Sequence, residues 1–177
     1  MEKVLFNGLI LVLPILLVRF ALLSLLNKEA VKRAAFFPPT KGIEKVAYRI
    51  NPVATLALLV IPLFSRIEIN GLTGFTGLGL FFTGLVLYII SIIQFARPDN
   101  AGLCITGLYK ISRNPMYVAF FLYFLGCCFL TSSRVLLVVL IIFQISVHFL
   151  ILSEERWCTD QFGEKYTKYI EKVRRYI

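Results

Sequence analysis

Apolar runs of helical length, separated by short basic segments, constrain the fold of this chain more than any other sequence feature. A helix of about 20 apolar residues crosses the hydrocarbon core of a bilayer. The chain is 58% hydrophobic, whereas soluble domains are typically about 45–50% apolar, so one small soluble core could not bury this surface. The sequence therefore predicts an all-α integral membrane protein with about five transmembrane helices, at residues 4–26, 51–66, 72–96, 115–131 and 135–153.

These helices are predicted to form a single membrane domain over residues 1–177. Residues 1–96 make a three-helix N-terminal part, and residues 97–177 contain a polar loop, a helical hairpin and a C-terminal tail. The hairpin follows from the tight turn at residues 132–134, which leaves no room for a longer connection between the fourth and fifth helices. Its two outer ends must therefore meet at the same membrane face.

Local signals mark helix starts and close helix contacts. Asn51-Pro52 and Asn114-Pro115 are both typical of a helix N-terminus, with asparagine as the N-cap and proline at the first helical position. The third helix is rich in small residues, which let helices approach closely in lipid. These are Gly74, Gly77, Gly79, Thr83 and Gly84.

The C-terminal tail has the pattern of an amphipathic helix. Its basic residues fall largely off a stripe of apolar and aromatic residues at helical spacing, which predicts a helix that lies in the membrane interface with its basic face toward the head groups. The stripe consists of Phe162, Tyr166, Tyr169, Ile170, Val173 and Ile177.

Most of the 19 lysines and arginines lie in three segments that five crossings place at one face: residues 27–50, residues 97–114 and the tail. Because basic loops stay in the cytoplasm, the N-terminus is predicted outside and the C-terminus inside. The compartment would be the plasma or inner membrane, or the endoplasmic reticulum in a eukaryote. The net charge of +9 then indicates anionic lipid head groups as partner rather than nucleic acid, and the oligomeric state stays open.

Cysteine and histidine usage argues against a metal site. The chain has one histidine, His148, and its four cysteines form no C-x-x-C pair, so zinc ligation is not expected. The cysteines are predicted to be reduced and structural. They are Cys104, Cys127, Cys128 and Cys158.

Two polar clusters meet at the basic face of the hairpin. One is the stretch 107–117 and the other is Glu154-Glu155 at the end of the fifth helix. His148 and Glu155 share a helical face with Gln144 and Ile151, and ionisable groups at membrane depth usually mark functional sites. Plainer interpretations stay open: the glutamates could begin a solvated tail, and His148 could be an interhelical hydrogen-bond partner. Arg19, inside the first apolar run, could snorkel or pair with Glu155.

Residues 106–117, the hairpin, Glu154-Glu155 and residues 162–166 together resemble the isoprenylcysteine carboxyl methyltransferase family. More broadly, they resemble membrane methyltransferases that include the phospholipid N-methyltransferases, and the resemblance covers about residues 95–177. It implies S-adenosylmethionine as the methyl donor, bound at the cytosolic end of the hairpin. It also implies a hydrophobic, lipid-like acceptor that enters from the bilayer and presents a carboxylate, a thiol or an amine.

The resemblance also implies roles for individual residues. Glu155 would lie nearest the acceptor, and Glu155 and His148 are the candidate catalytic residues, as bases for an amine acceptor. Glu154 would bind donor hydroxyl or amino groups, or offset the sulfonium charge. The cofactor-binding candidates are Gly107, Tyr109, Arg113, Asn114, Pro115, Tyr117 and Glu154.

Two positions depart from the family pattern. Asn114 stands where the family commonly has histidine, and Leu150 stands where the carboxyl methyltransferases have the arginine that holds the substrate carboxylate. We therefore expect a methyltransferase whose acceptor class is open. The alternatives are a non-catalytic membrane scaffold or divergent family member, a small transporter, and a sterol-reductase-like membrane enzyme, which would bind a nicotinamide cofactor instead.

Overall fold

A computed structural model describes the backbone of residues 2–99 and 102–177 and the side chains from residue 8 onward within those ranges. The described part of the chain is all-α, as predicted, apart from an isolated parallel bridge between Ser112 and Arg174. The helices are α1 (Glu2–Leu16), a π-helical segment (Leu17–Leu22), α2 (Leu23–Leu26), α3 (Lys28–Ala35), α4 (Glu44–Val60), a 3-10 turn (Ile61–Phe64), α5 (Gly71–Phe95), a 3-10 turn (Gly107–Lys110), α6 (Pro115–Thr131), α7 (Arg134–Phe162) and α8 (Glu164–Lys172).

Within the described residues, four helical segments are long and apolar enough to cross a membrane. They are Gly8–Leu26, Glu44–Phe64, Gly71–Phe95 and Arg134–Phe162, and α6 is a shorter apolar helix. At 1.5 Å per residue the 17 residues of α6 extend about 26 Å, slightly less than the hydrocarbon core. The prediction of about five apolar helices in an integral membrane protein is confirmed.

The helices pack most extensively in two pairs, α5 with α6 and α4 with α7. Small residues let the first pair approach closely. A Cβ atom on Gly84 would lie 2.4 Å from the Tyr123 backbone nitrogen, and one on Gly126 would lie 2.4 Å from that of Phe81. Gly79 faces open space, so of the glycines in α5 only some serve the contact predicted for them.

The basic linker, the polar loop and the tail lie at the same end of the bundle. Asn27 Nδ2 donates to the Ala96 carbonyl at 2.9 Å, and Arg156 forms an ion pair with Glu44 at 2.7 Å. Lys165 pairs with Asp99 at 2.6 Å. The predicted grouping of these three segments is therefore present, and α6 begins where the charged part of α7 emerges.

At the opposite end, α1 contacts the turn after α4. Gly8 packs against the backbone of Pro62 and Leu63, where no side chain would fit. The Glu68 backbone N–H donates to the Leu130 carbonyl at 2.7 Å. These contacts complete an up-and-down arrangement of the five apolar segments.

The prediction that Asn51-Pro52 begins a helix is wrong. Helix α4 begins at Glu44 and Pro52 lies inside it. Membrane helices tolerate an internal proline because neighbouring groups satisfy the freed backbone atoms. Asn51 does not cap: its Nδ2 donates to Ser146 Oγ on α7 at 3.2 Å, which ties the two helices of that pair together.

The end of the chain also differs from prediction. Helix α7 continues past residue 153 to Phe162, and α8 ends at Lys172. Val173 has extended backbone angles, so the predicted apolar stripe does not continue as a helix to Ile177. Tyr166 is only 5% exposed, because this face of α8 packs on the protein.

The α5–α6 contact yields a stability prediction. We expect Gly84→Leu and Gly126→Leu to destabilise the protein by about 1–3 kcal/mol or more, because added atoms would overlap the partner backbone. Gly79→Leu is the matched control on the same helix and should change little. Thermal unfolding in detergent, followed by a thiol-reactive dye, measures the difference. Equal unfolding temperatures for Gly79→Leu and Gly84→Leu would contradict the assigned packing.

Candidate functional site

Glu154 and Glu155 are neighbours on α7, yet their carboxylates have different partners. Successive residues of a helix point about 100° apart, so two adjacent side chains meet different surroundings. Glu155 points toward the loop before α6 and the tail, whereas Glu154 points toward the first turn of α6 and interacts with Arg19 in the π-helical segment. The site therefore has two parts, which share α7.

The Glu155 carboxylate is bound by two arginines. Arg113 donates to its Oε1 from Nε at 3.1 Å and from Nη2 at 2.8 Å, and Arg175 donates to its Oε2 from Nη2 at 2.8 Å. The Glu155 side chain is 11% exposed and that of Arg113 is 8% exposed. Charge-assisted bonds of this forked kind are strong and directional. We call this group, Arg113, Glu155 and Arg175, the arginine clasp.

The arginine clasp fixes the chain end to the loop before α6. Arg113 Nη1 donates to the carbonyls of Ile170 and Val173 at 3.1 and 2.9 Å, and its backbone N–H donates to the Arg174 carbonyl at 2.9 Å. Asn114 Nδ2 donates to the Arg175 carbonyl at 3.1 Å. Asn114 precedes the first residue of α6 as predicted, but its side chain binds the tail instead of capping the helix.

His148 lies on the same side of α7 as Glu155, two turns away. Its Nδ1 is 2.8 Å from the Tyr176 hydroxyl, within hydrogen-bonding distance. Ile151 between them is fully buried, and the buried Gln144 Oε1 has no hydrogen-bond partner in the described structure. The face of α7 that carries Gln144, His148, Ile151 and Glu155 is therefore covered by Tyr176 at the position of His148.

Glu154 has a different environment. The Tyr117 hydroxyl donates to its Oε1 at 2.9 Å, which joins the first turn of α6 to α7. The guanidinium of Arg19 acts electrostatically on both Tyr117 and Glu154 and interacts with the Tyr88 hydroxyl. Glu154 thus lies in a polar cluster formed by four helices, and the alternative in which Arg19 pairs with Glu155 does not occur.

Tyr109 adds a buried hydroxyl to this cluster. The residue is 6% exposed, and its hydroxyl has no hydrogen-bond partner among the described residues, although it interacts with Glu154 and Tyr88. Burial raises the pKa of the Tyr109 hydroxyl well above its usual value, so it is present as a protonated donor. A buried hydroxyl without a partner costs free energy unless a ligand or water satisfies it.

Gly107 explains how Tyr109 is positioned. Its φ of +61° favours glycine, and a Cβ there would lie 2.1 Å from the Gln94 side-chain nitrogen. Gln94 Oε1 accepts a hydrogen bond from the Leu108 N–H at 2.8 Å, and the Tyr109 carbonyl accepts one from the Tyr169 hydroxyl at 2.6 Å. The 3-10 turn is therefore held from α5 and from α8.

The predicted site residues thus separate into two groups that meet at α7. Tyr109, Tyr117 and Glu154 form the polar cluster, with Gly107 as its support. Arg113, Asn114, Glu155 and His148 bind the tail, and Pro115 is the buried first residue of α6. No sequence pattern indicated Tyr88, Gln94, Arg175 or Tyr176 as site residues, and the role of Arg19 stayed open. A charge inside an apolar run was the one signal available, and it concerned Arg19.

Comparison with known proteins gives one finding. A family model described as phospholipid methyltransferase matches residues 72–165, slightly more than half of the chain. The matched region runs from α5 to the start of α8 and includes both glutamates, but not Arg19, Arg175 or Tyr176. No curated protein sequence and no solved structure matches the chain.

The arginine clasp makes a prediction about the tail. Glu155→Gln leaves two arginines without their carboxylate, and breaking a buried ion pair costs about 3–5 kcal/mol. We expect the amides of residues 164–177 to lose protection in hydrogen exchange measured by mass spectrometry. Lys168→Ala is the control, because it removes only the exposed Lys168–Glu164 pair. A tail equally protected in both variants would show that the clasp does not hold it.

Cys104 yields a second test. Burial raises the pKa of the Cys104 thiol to about 11, and the thiolate is the reactive form. Alkylation of Cys104 by iodoacetamide should therefore be slow at pH 8 and should accelerate about tenfold for each pH unit up to about 11. Peptide mass spectrometry over a pH series measures the rate. A plateau below pH 9 would contradict the burial described.

Proposed function

The chain belongs to the phospholipid methyltransferase family, and from this premise we propose that it is an S-adenosylmethionine-dependent membrane methyltransferase acting on a lipid-like acceptor. Family membership and the apolar helices establish an integral membrane protein of a methyltransferase family. The donor, the acceptor and the residue roles form the proposal. They rest mainly on the polar cluster around Glu154.

The donor assignment rests on two features of the polar cluster: the Glu154 carboxylate and the buried Tyr109 hydroxyl, which has no hydrogen-bond partner among the described residues. The described hydrogen bonds give Glu154 one partner, Tyr117, and the Tyr109 hydroxyl, which interacts electrostatically with Glu154, has none among the described residues. S-adenosylmethionine has hydroxyl and amino donors and a cationic sulfonium. A carboxylate can accept hydrogen bonds from the former and offset the charge of the latter, so these residues fit the donor.

When bound, S-adenosylmethionine would supply a methyl group on a positively charged sulfur: an acceptor lone pair would attack the methyl carbon, and S-adenosylhomocysteine would leave with the electron pair of the broken carbon–sulfur bond. The protein's contribution is to position the reactants and to exclude water. Glu154 and Tyr117 would orient the donor, and Tyr109 would provide a further hydrogen bond. Gly107 and Gln94 would keep the 3-10 turn in the shape that presents Tyr109.

Glu155 and His148 stay predicted site residues, but we propose specific roles for them. Glu155 is held by two guanidinium groups, which occupy both of its carboxylate oxygens. Its role would be to position the loop and the tail beside the donor. His148, with Tyr176 on its Nδ1, would be the candidate base if the acceptor were an amine.

The acceptor and orientation also belong to the proposal. Leu150 is buried inside the bundle and has no charge to offer a substrate carboxylate, so the acceptor class stays open. The basic end of the bundle would face the cytoplasm and contact anionic head groups. The donor would then enter from the cytoplasm and the acceptor from the bilayer.

Binding of S-adenosylmethionine tests the proposal. We expect measurable binding to the purified protein by calorimetry, and a loss of about 10- to 100-fold in Glu154→Gln, because a hydrogen bond to a charged group contributes about 1.5–3 kcal/mol. Glu164→Gln is the control, since the Glu164 side chain is 81% exposed.

Two results would overturn the proposal. One is a folded, monodisperse wild type that does not bind S-adenosylmethionine, and the other is binding that Glu154→Gln leaves unchanged. Binding of a nicotinamide cofactor in its place would favour the reductase alternative.

A further inference from the structure

Arg19 occupies an unusual place for a charged residue. It lies within the apolar segment Gly8–Leu26, where an arginine is costly unless it faces the interior of the bundle and meets a partner. Its neighbours Leu17 and Phe20 are 52% and 65% exposed on the outer surface. Arg19 itself is half-buried, so its side chain lies along the protein rather than in lipid.

The backbone around Arg19 is also unusual. Residues Leu17–Leu22 form a π-helical segment between two α-helical ones. Such segments are rare, and they frequently occur at functional sites because the wider turn redirects side chains. Arg19 is the single charged residue of this π-helical segment. Its guanidinium binds a carbonyl of α3 and interacts with Tyr88 on α5 and with Glu154.

The guanidinium is oriented but not neutralised. Its Nη2 donates to the Ala34 carbonyl at 3.0 Å, and the Tyr88 hydroxyl interacts with it. A guanidinium has five N–H donors, and both of these partners are uncharged. Among the described residues Arg19 forms no ion pair, since the carboxylate of Glu154 interacts with it only beyond ion-pair distance.

A second observation points to a ligand between these charges. The Tyr109 hydroxyl, on a side chain more than nine-tenths buried, interacts with Glu154 and Tyr88 and has no partner. The cluster therefore has a positive side at Arg19, a negative side at Glu154 and an unused hydroxyl that interacts with Glu154 and Tyr88. Such an arrangement fits a ligand that presents an anionic group to Arg19.

We propose that Arg19 and Tyr88 form an anion-binding subsite that receives a carboxylate or phosphate group of a bound ligand. The inference rests on the proposed function, because it places this group in the pocket of the methyl donor. Two sources share the chemistry: the carboxylate of the donor's methionine part and the anionic head of an amphiphilic acceptor. Arg19 lies outside the matched region 72–165 and Tyr88 lies inside it, so the positive charge of the subsite comes from the first apolar segment, Gly8–Leu26.

Two probe pairs test the subsite and identify the source, with the protein in nanodiscs of neutral phosphatidylcholine. The first pair is S-adenosylhomocysteine and its decarboxylated analogue, compared by calorimetry. The second is spin-labelled stearate and its methyl ester, compared by the immobilised fraction in electron paramagnetic resonance. We expect the wild type to prefer the charged member of one pair by about tenfold, and Arg19→Gln to abolish that preference.

Further variants keep the test independent of folding. Arg97→Gln removes an exposed arginine at the same end of the bundle and should keep the wild-type preference. Arg19→Lys keeps the charge but loses the forked geometry, and Tyr88→Phe removes one hydroxyl, so each should reduce the preference less than Arg19→Gln does. If Arg19→Gln does not fold, these two variants decide the matter.

The results separate the two proposals. The subsite proposal alone is overturned if the wild type binds S-adenosylhomocysteine and the Arg19 and Tyr88 variants still prefer the charged probes as the wild type does. A folded wild type that binds no adenosyl ligand overturns the proposed function. Loss of preference confined to the first pair assigns the anion to the donor, and loss confined to the second assigns it to an anionic amphiphile.

Discussion

The carboxylate of Glu155 is the interaction on which the polar end of this protein depends. Arg113 reaches it from the loop before α6 and Arg175 reaches it from the end of the chain. Arg113 also binds the carbonyls of Ile170 and Val173. One buried charge therefore joins α7, the loop and the tail. Removing one of these partners would leave a buried charge uncompensated, so this carboxylate holds the loop and the tail in place against α7.

This arrangement leaves the neighbouring glutamate available. If Glu154 also bound Arg113 and Arg175, both adjacent carboxylates would be used to hold the loop and the tail. The 100° rotation between successive residues instead directs Glu154 to Tyr117 and toward Arg19. The two neighbouring glutamates therefore differ in their hydrogen bonding. Both carboxylate oxygens of Glu155 accept hydrogen bonds from arginines. Glu154 has a single described partner, in a cluster that also contains a hydroxyl without a partner. Glu155 joins three segments of the protein, and Glu154 is the residue to which the proposed function assigns a ligand.

Features that depend on local pattern could be predicted from the sequence, and those that depend on distant partners could not. The apolar runs, the turn at residues 132–134 and the start of α6 at Pro115 all follow from residues that are close in sequence. Asn51-Pro52 carries the same signal as Asn114-Pro115, but α4 already begins at Glu44, which Arg156 on α7 binds, and Asn51 bonds to Ser146 on α7 instead of capping. Likewise Val173 fits a helical stripe, yet Arg113 takes its carbonyl and the chain is extended.

The candidate site also extends beyond the family region, because the flanking segments contribute charged side chains to it. Within residues 72–165 lie Tyr88, Tyr109, Tyr117 and Glu154, but the positive charge near them comes from Arg19 and the tail clasp from Arg175. Helix α1 is bound to this region independently of any ligand, since the buried Tyr123 hydroxyl on α6 donates to the Leu11 carbonyl at 2.8 Å. Arg19 follows in the same apolar segment, Gly8–Leu26, so this segment is also held against the bundle at a point outside the cluster. A segment fixed in this way can present a charge to the cluster without the entropic cost of ordering it when a ligand binds.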